Sequence, residues 1–99
     1  MPEPVFRDNP AESRYEALLG DDLIGQIDYT VAGGVVGFVH TGTSDRYRGR
    51  GLAAGLTAFA LADLRDRGRR VAPLCPFTAA YIAANPQYCL AWNNTVPAL

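Results

Sequence analysis

A chain of 99 residues that is 48% hydrophobic and 19% charged has the composition of one folded domain and not of a disordered segment. Its net charge of −1 gives no general attraction to nucleic acid or to a membrane surface, and its apolar runs are too short to span a bilayer. With two cysteines, one histidine and no Cys-x-x-Cys motif, the sequence predicts neither a disulfide framework nor a metal site.

The first forty residues carry the pattern of an antiparallel meander. Four strands are predicted, at residues 5–7, 15–19, 23–31 and 35–40, with turns at 8–10, 20–22 and 33–34. Gly33 and Gly34 suit a hairpin turn because both accept a positive φ. The nearly unbroken apolar run at 35–40 is typical of a strand that is buried on both faces.

A long helix, a strand and a second helix follow. Apolar residues recur at helical spacing between Leu52 and Leu64, and Gly68 stands where such a helix would end. Residues 70–75 have the pattern of a strand, and Pro76 occupies the favoured first turn of the second helix.

These elements together predict an α/β domain with a mixed sheet. The helix that joins strands 35–40 and 70–75 makes them parallel neighbours, by the usual crossover rule. The rest of the sheet is an antiparallel N-terminal meander. We expect one domain over residues 1–99 with its core at about 5–92, in which the aromatic segment 88–92 packs on the core and residues 93–99 are frayed.

Basic residues are concentrated in one part of the chain. Seven of the nine arginines lie between Arg46 and Arg70, where the only acids are Asp63 and Asp66. Two glycines, at positions 49 and 51, precede the long helix, and glycine leaves backbone N–H groups uncovered. A helix N-terminus behind such a loop binds phosphate readily, so the segment predicts an anionic ligand.

Several interpretations of this loop compete. Gly49-x-Gly51-x-x-Ala54 fits the loose dinucleotide-binding pattern, but Arg69 and Arg70 stand where that fold needs an acid for the ribose. A P-loop is excluded because the chain has no lysine. Arg48-x-x-Gly51-x-Ala53 matches the (Gln/Arg)-x-x-Gly-x-(Gly/Ala) motif of the GCN5-related N-acetyltransferases. The motif alone leaves open an arginine-rich turn before an ordinary core helix.

Further blocks extend the resemblance to the small, single-domain branch of that acetyltransferase superfamily. They are Phe38-Val39-His40-Thr41, the Arg48-Gly49-Arg50-Gly51 turn, and Pro73-Leu74-Cys75-Pro76-Phe77 with Ala79-Ala80-Tyr81-Ile82 and the Asn-Pro-x-Tyr of residues 85–88. The resemblance runs in register from about residue 5 to 90. Two departures stand out: Gly42 follows Thr41 where relatives often carry a carboxylate, and Asn85 replaces a frequent histidine. Gly42 therefore offers no side chain that could act as a general base.

The resemblance implies an acetyl-CoA-dependent N-acetyltransferase. Loop amides would hold the pyrophosphate, and the strand ending near residue 40 would bind the pantetheine arm. The residues expected to bind the cofactor are Thr41, Arg48, Gly49, Arg50, Gly51, Leu52 and Ala53. The acceptor would be an amine of a small molecule or a protein, with no nucleic-acid or membrane partner. A non-catalytic acyl-CoA-binding or interaction module is the alternative, and the oligomeric state stays open. Without a hydrophobic signal segment at the N-terminus, we expect a cytoplasmic location.

Three side chains are candidates for catalysis. Cys75 precedes a helix N-terminus, which favours a thiolate, so it is either a nucleophile or a small residue lining the site. Tyr81 matches the tyrosine that protonates the coenzyme A thiolate in larger relatives, and the alternative is a ring packed in the core. His40 could deprotonate the amine, or it could be a buried, satisfied histidine. Cys89 has no comparable setting and is expected in the core.

Overall fold

A single five-stranded sheet carries two helices in the computed structural model, which describes residues 3–85. The elements are β1 (Val5–Asn9), β2 (Arg14–Leu19), β3 (Asp22–Ala32), β4 (Val35–Thr43), α1 (Leu52–Asp66), β5 (Arg70–Pro73) and α2 (Pro76–Ala84). The strands lie in chain order, with β1 to β4 antiparallel and β5 parallel to β4. The predicted mixed-sheet α/β fold, including its parallel pair, is confirmed.

Local signals set most of the boundaries. Gly33 and Gly34 form the β3–β4 turn with φ of +58° and +79°, which confirms the hairpin turn predicted there. The turn predicted at 8–10 is misplaced by two residues, because Asp8 and Asn9 pair with β2. The chain turns instead in a short 3-10 helix at Pro10–Glu12.

Helix α1 ends as its sequence predicts. Gly68 has a φ of +68°, and its N–H donates to the carbonyl of Arg65 at 3.0 Å. The N–H of Arg69 donates to the carbonyl of Leu64 at 2.8 Å. These two bonds form a Schellman motif, which satisfies carbonyls that the helix leaves unpaired.

The hydrophobic core lies between one face of the sheet and the helices. Its largest fully buried side chains include Tyr15, Ile27 and Phe38 from the strands and Leu56 and Leu61 from α1. From α2, Ile82 joins the same cluster. The core therefore ties both helices to the same sheet and fixes where their N-termini lie.

The opposite face of the sheet carries polar side chains. Glu16 is only 2% exposed there and accepts hydrogen bonds from Arg7 at 2.8 Å, Arg14 at 2.6 Å and Asn9 at 3.1 Å. Burial alone would raise the pKa of this carboxyl, but the donors, Arg14 first, outweigh burial and hold the pKa below its ordinary value.

Strand β4 contains a bulge and extends beyond its pairing with β5. The register shifts between Asp28 and Tyr29, so that Val39 is an extra residue in β4 and is 43% exposed. The expectation that the whole run 35–40 is buried on both faces is therefore wrong at Val39 and His40, although it holds for residues 36–38. Pairing with β5 stops at Phe38–Pro73, whereas β4 continues along β3 to Thr43.

Some expectations fall outside the described residues. The packing of segment 88–92, the fraying of 93–99 and the burial of Cys89 all concern residues beyond 85. Between residues 3 and 85, neither helix has the length and apolar character needed to cross a bilayer.

Candidate functional site

A cleft of about 530 Å³ opens where β4 and β5 separate. Its walls are residues 40–43 of β4, residues 47–49 and 51 of the loop before α1, residues 52–54 of α1, and Phe77 of α2. The cleft thus joins the free edge of a strand to the N-terminus of a helix. In α/β proteins such carboxyl-end crevices are favoured ligand sites.

The glycine loop exposes backbone donors at this cleft. Gly49 and Gly51 have φ of +76° and +75°, a left-handed conformation that other residues adopt only with strain. Apart from the adjacent residues, no atom of the described chain lies within 4 Å of where a Cβ would stand on either glycine, so both face open space. The left-handed backbone explains why glycine stands at both positions, and the missing side chains leave room for a ligand to approach.

Helix α1 begins without a side-chain cap. Gly51 occupies the N-cap position, and the first bond within the helix runs from the N–H of Gly55 to the carbonyl of Gly51 at 2.9 Å. Within the described residues, the N–H groups of residues 52–54 therefore have no acceptor in the helix or from a capping side chain. These residues line the cleft, and together with the helix dipole they suit an anionic group.

The two arginines predicted to bind the cofactor lie in different settings. Arg48 lines the cleft and pairs with Asp45, Nε to Oδ1 at 3.1 Å, but both side chains are more than 70% exposed. Such surface pairs are weak, so Arg48 remains available to an incoming anion. Arg50 does not line the cleft; its guanidinium lies over the ring of Tyr47, 5.7 Å from the ring centroid.

His40 is exposed, and the expectation of a buried histidine is wrong. The bulge at Val39 shifts it to pair with Asp28, on the polar face of the sheet. It lines the main cleft and also a second cleft of about 350 Å³, which β3 residues 23–26 bound on the other side. His40 therefore stands between two open spaces.

Cys75 lies behind the wall of the main cleft. It is 7% exposed, occupies the N-cap position of α2, and its Sγ lies 3.6 Å from Oγ1 of Thr41, which does line the cleft. Burial raises the pKa of the thiol, but the hydroxyl of Thr41 and the N–H groups of Thr78 and Phe77 outweigh burial, so that the pKa lies below its ordinary value.

Tyr81 is half-buried and packs against the hydrophobic core. It is not among the residues that line the cleft, and its carbonyl accepts a hydrogen bond from Nδ2 of Asn85 at 2.8 Å. The ring thus packs on the core, which was the alternative considered for Tyr81. Its role as the acid that protonates the coenzyme A thiolate stays a prediction.

Sequence reasoning missed several residues of the cleft. Tyr47 and Phe77 line it, although neither was singled out. Tyr47 falls inside the arginine–glycine segment and Phe77 inside the Leu-Cys-Pro-Phe block, so the signal was present in both motifs. Thr78, beside Cys75, carried no signal at all. Within residues 3–85, no three His, Cys, Asp or Glu side chains are grouped so that they could hold a metal ion.

Comparison with known proteins agrees with this geometry. The model of a family described as GCN5-related N-acetyl-transferase matches residues 14–91, which is well over half of the chain and spans β2 to α2. A comparison with curated proteins finds no significant match. The glycine loop, the uncapped helix and the separated strands lie inside the matched region, and the chain belongs to the GCN5-related N-acetyltransferase family.

Proposed function

We propose that this protein is an acetyl-CoA-dependent N-acetyltransferase that acts on an amine. The observation that carries the proposal is the uncapped N-terminus of α1, whose free N–H groups open into a cleft at the separated edge of β4. Family membership adds acetyl transfer as the chemistry.

The cleft offers a distinct surface to each part of the cofactor. The pyrophosphate would bind the N–H groups of residues 52–54, with Arg48 adding positive charge. The pantetheine arm carries amides, and residues 40–43 of β4 have no β5 partner along that edge in the described structure. The acetyl group would then reach the point where the strands part, beside Thr41.

Two routes of transfer fit this arrangement. In direct attack, the amine nitrogen bonds to the thioester carbon, the C–S bond breaks, and the amine proton passes to a base while the thiolate of coenzyme A is protonated. His40 lies at the boundary with the second cleft and is our candidate base, and Tyr81 is the candidate acid. In the covalent route, the Cys75 thiolate would bond to the thioester carbon, and the C–S bond to coenzyme A would break, releasing a thiolate that takes up a proton. The amine nitrogen would then bond to the acetyl carbon on Cys75, breaking that C–S bond, and its proton would pass to a base or to the released sulfur.

Ligand-dependent stability tests the cofactor. Acetyl-CoA at 100 times its Kd should raise the free energy of unfolding by about 2.7 kcal/mol. Coenzyme A should stabilise the protein as well, whereas NAD should not, because Arg69 and Arg70 stand where a dinucleotide-binding fold has an acidic residue for the ribose. Stabilisation by NAD with none by acetyl-CoA would overturn the proposal.

A mass measurement separates the routes. Incubation with acetyl-CoA and no amine should add one acetyl group to the peptide containing Cys75 only if the route is covalent. Direct attack leaves no adduct, and Cys75→Ala then keeps much of the rate. Tyr81→Phe should lower kcat far more than KM if the phenol protonates the thiolate.

A non-catalytic acyl-CoA-binding module is the second candidate. Gly42 offers no carboxylate, and Cys75 is shielded from the cleft by Thr41, which favour binding without turnover. Stabilisation by acetyl-CoA without acetylation of any amine in a broad panel would support this candidate over the enzyme.

A further inference from the structure

The hydroxyl of Thr78 is buried and lacks a hydrogen-bond partner among residues 3–85. Thr78 is 0% exposed, and its Oγ1 makes no hydrogen bond within the part of the chain that the structure describes. Buried hydroxyls without partners are rare in folded proteins, because removing them from water carries a free-energy cost. An acceptor that forms close to the Thr78 hydroxyl would therefore offset this cost.

Position along α2 indicates which partner it is. Cys75 is the N-cap residue and Thr78 is the third residue after it, so both belong to the first turn of α2. The backbone N–H of Cys75, which the Thr78 side chain would bind in a capping box, already donates to the carbonyl of Phe38 at 2.7 Å, and this leaves the sulfur as the nearby group. An N-cap side chain normally accepts from the N–H groups of the first turn. Here Pro76 has no N–H, and the sulfur makes no full cap hydrogen bond as a thiol. A thiolate is a much stronger acceptor than a thiol, so ionisation would complete the cap.

Donors surround the sulfur on two sides. On the cleft side, the Cys75 thiol donates to Oγ1 of Thr41 at 3.6 Å, and on ionisation of the sulfur the Thr41 hydroxyl would turn and donate instead. On the helix side, the N–H groups of Phe77 and Thr78 and the hydroxyl of Thr78 all favour the charged form of the sulfur. The elements packed around this site also carry titratable side chains, namely His40 on β4, Arg70 on β5, Asp63, Arg65 and Asp66 on α1, and Tyr81 on α2. None of these is among the strongest influences on the thiol.

We propose that Thr78 is a positioning residue whose hydroxyl donates to the ionised sulfur of Cys75, so that Thr78 and Thr41 together hold a thiolate at the cap of α2. This inference deepens the proposed function, because the covalent route requires a thiolate at Cys75. Only the link from that thiolate to catalysis rests on the proposed function. Its test uses no acetyl-CoA, so it can fail or succeed independently of the cofactor proposal.

Alkylation by iodoacetamide measures ionisation of the sulfur. The Cys89→Ser background is needed because cleavage after arginine leaves Cys75 and Cys89 in one peptide. The rate of modification of Cys75 is followed by mass spectrometry from pH 5 to pH 10. The alkylation rate at high pH, where the sulfur is fully ionised, depends on access to the sulfur. The pH at which the rate is half of that value depends on ionisation, so the profile separates the two effects.

Matched variants isolate the hydroxyl. Thr78→Val should move the midpoint of the alkylation profile to higher pH and thereby slow alkylation at pH 7 roughly tenfold. A factor of this size is what the loss of one hydrogen bond to a charged atom produces. Thr78→Ser keeps a hydroxyl and should retain the wild-type midpoint. Thr57→Val is the control, because Thr57 is also fully buried but donates to the carbonyl of Ala53 in α1. An unchanged midpoint in a folded Thr78→Val variant would overturn the inference.

Stability against pH gives a second, independent measurement. A thiol whose folded pKa is lowered adds stability above its unfolded pKa, and this contribution is lost as the pH falls through the folded value. Thr78→Val should therefore be less stable than wild type near pH 9.5 and equally or more stable at pH 6, where it removes an unpaired hydroxyl. A difference that is the same at both pH values would mean a purely structural role. If Thr78→Val does not fold, the double variant Thr41→Val/Thr78→Ala is used instead, and a wild-type alkylation midpoint in that variant would overturn the inference.

Discussion

The two ends of α1 differ in how completely their polar groups are paired. At the C-terminal end, a set that we call the paired cluster comprises Tyr15, Tyr29, Asp8, Asp63 and Arg67. The Tyr15 hydroxyl donates to Asp63 and the Tyr29 hydroxyl to Asp8, each at 2.7 Å, and Arg67 bridges the two carboxylates at 3.1 and 3.3 Å. At the N-terminal end, Gly51 provides no cap, and the first-turn N–H groups open into the main cleft.

On this difference we base the proposal that the C-terminal end of α1 is structural and that its N-terminal end, called the binding end below, holds the ligand. A cleft of about 250 Å³ also lies beside the paired cluster, but the cluster's phenols that line it donate to the cluster's carboxylates. Burial, followed by the hydrogen bonds to Asp63 and Asp8, raises the pKa of Tyr15 and of Tyr29, so both phenols stay neutral donors. Unsatisfied donors, more than cavity volume, support our proposal that a ligand binds at the N-terminal end.

The largest expected effect comes from filling the binding end. Gly51→Val places a branched side chain in the cleft at a left-handed position, and we expect acetyl-CoA to bind at least 100-fold more weakly, about 2.8 kcal/mol. Gly20→Val is the matched control, since Gly20 has a φ of +62°, equally open surroundings and a position in the β2–β3 turn. Both variants should lose about 1–2 kcal/mol of stability to backbone strain. Equal affinity of the folded Gly51→Val variant and wild type in calorimetry would contradict the assignment.

Breaking the paired cluster should affect stability and leave binding intact. Asp63→Ala removes the acceptor of the buried Tyr15 hydroxyl and one partner of Arg67, which we expect to cost about 2 kcal/mol in denaturant unfolding. Asp66→Ala, at a carboxylate that is 75% exposed, should change stability by less than about 0.5 kcal/mol. A loss of acetyl-CoA affinity in Asp63→Ala would show that the two ends are coupled.

A buried carboxylate away from both ends extends the comparison to the polar face of the sheet. Glu16→Gln should lower stability by about 1–2 kcal/mol at pH 7, because amide groups accept more weakly from arginine. Since the folded pKa of Glu16 lies below the unfolded value of 4.5, its contribution is present above pH 4.5 and is lost as the pH falls through the folded pKa. The difference between variant and wild type should therefore shrink in acid. Glu12→Gln, at an exposed carboxyl, should have the stability of wild type both at pH 7 and in acid.

The smallest effect is expected from the exposed pair at the binding end. Asp45→Asn releases Arg48 and removes a negative charge near the anion site, so acetyl-CoA should bind about two- to threefold more tightly at low salt. Stability should change by less than about 0.5 kcal/mol. Asp66→Asn, at the other end of α1, is the control for net charge. A gain that persists at high salt would contradict an electrostatic cause.

Local sequence determined the elements of this protein and the loop at its binding end. Helical spacing between Leu52 and Leu64 and the left-handed glycines at 33, 34 and 68 are properties of short segments, so α1 and its neighbouring turns could be predicted without knowing the fold. Of the residues at the arginine–glycine motif that were predicted to bind the cofactor, residues 48, 49 and 51–53 line the cleft, whereas the side chain of Arg50 lies over Tyr47.

Tertiary structure decided the side chains that depend on register and on distant contacts. The bulge at Val39, which exposes His40, arises from pairing with β3 and has no local sequence signal. Thr41 and Cys75 meet across 34 residues, and Tyr15 meets Asp63 across 48, because the crossover through α1 brings β4 beside β5 and lays the helix on the sheet. A sequence pattern fixes which face a residue occupies within its own element, but the partner on the other side of a contact is set only when the elements pack.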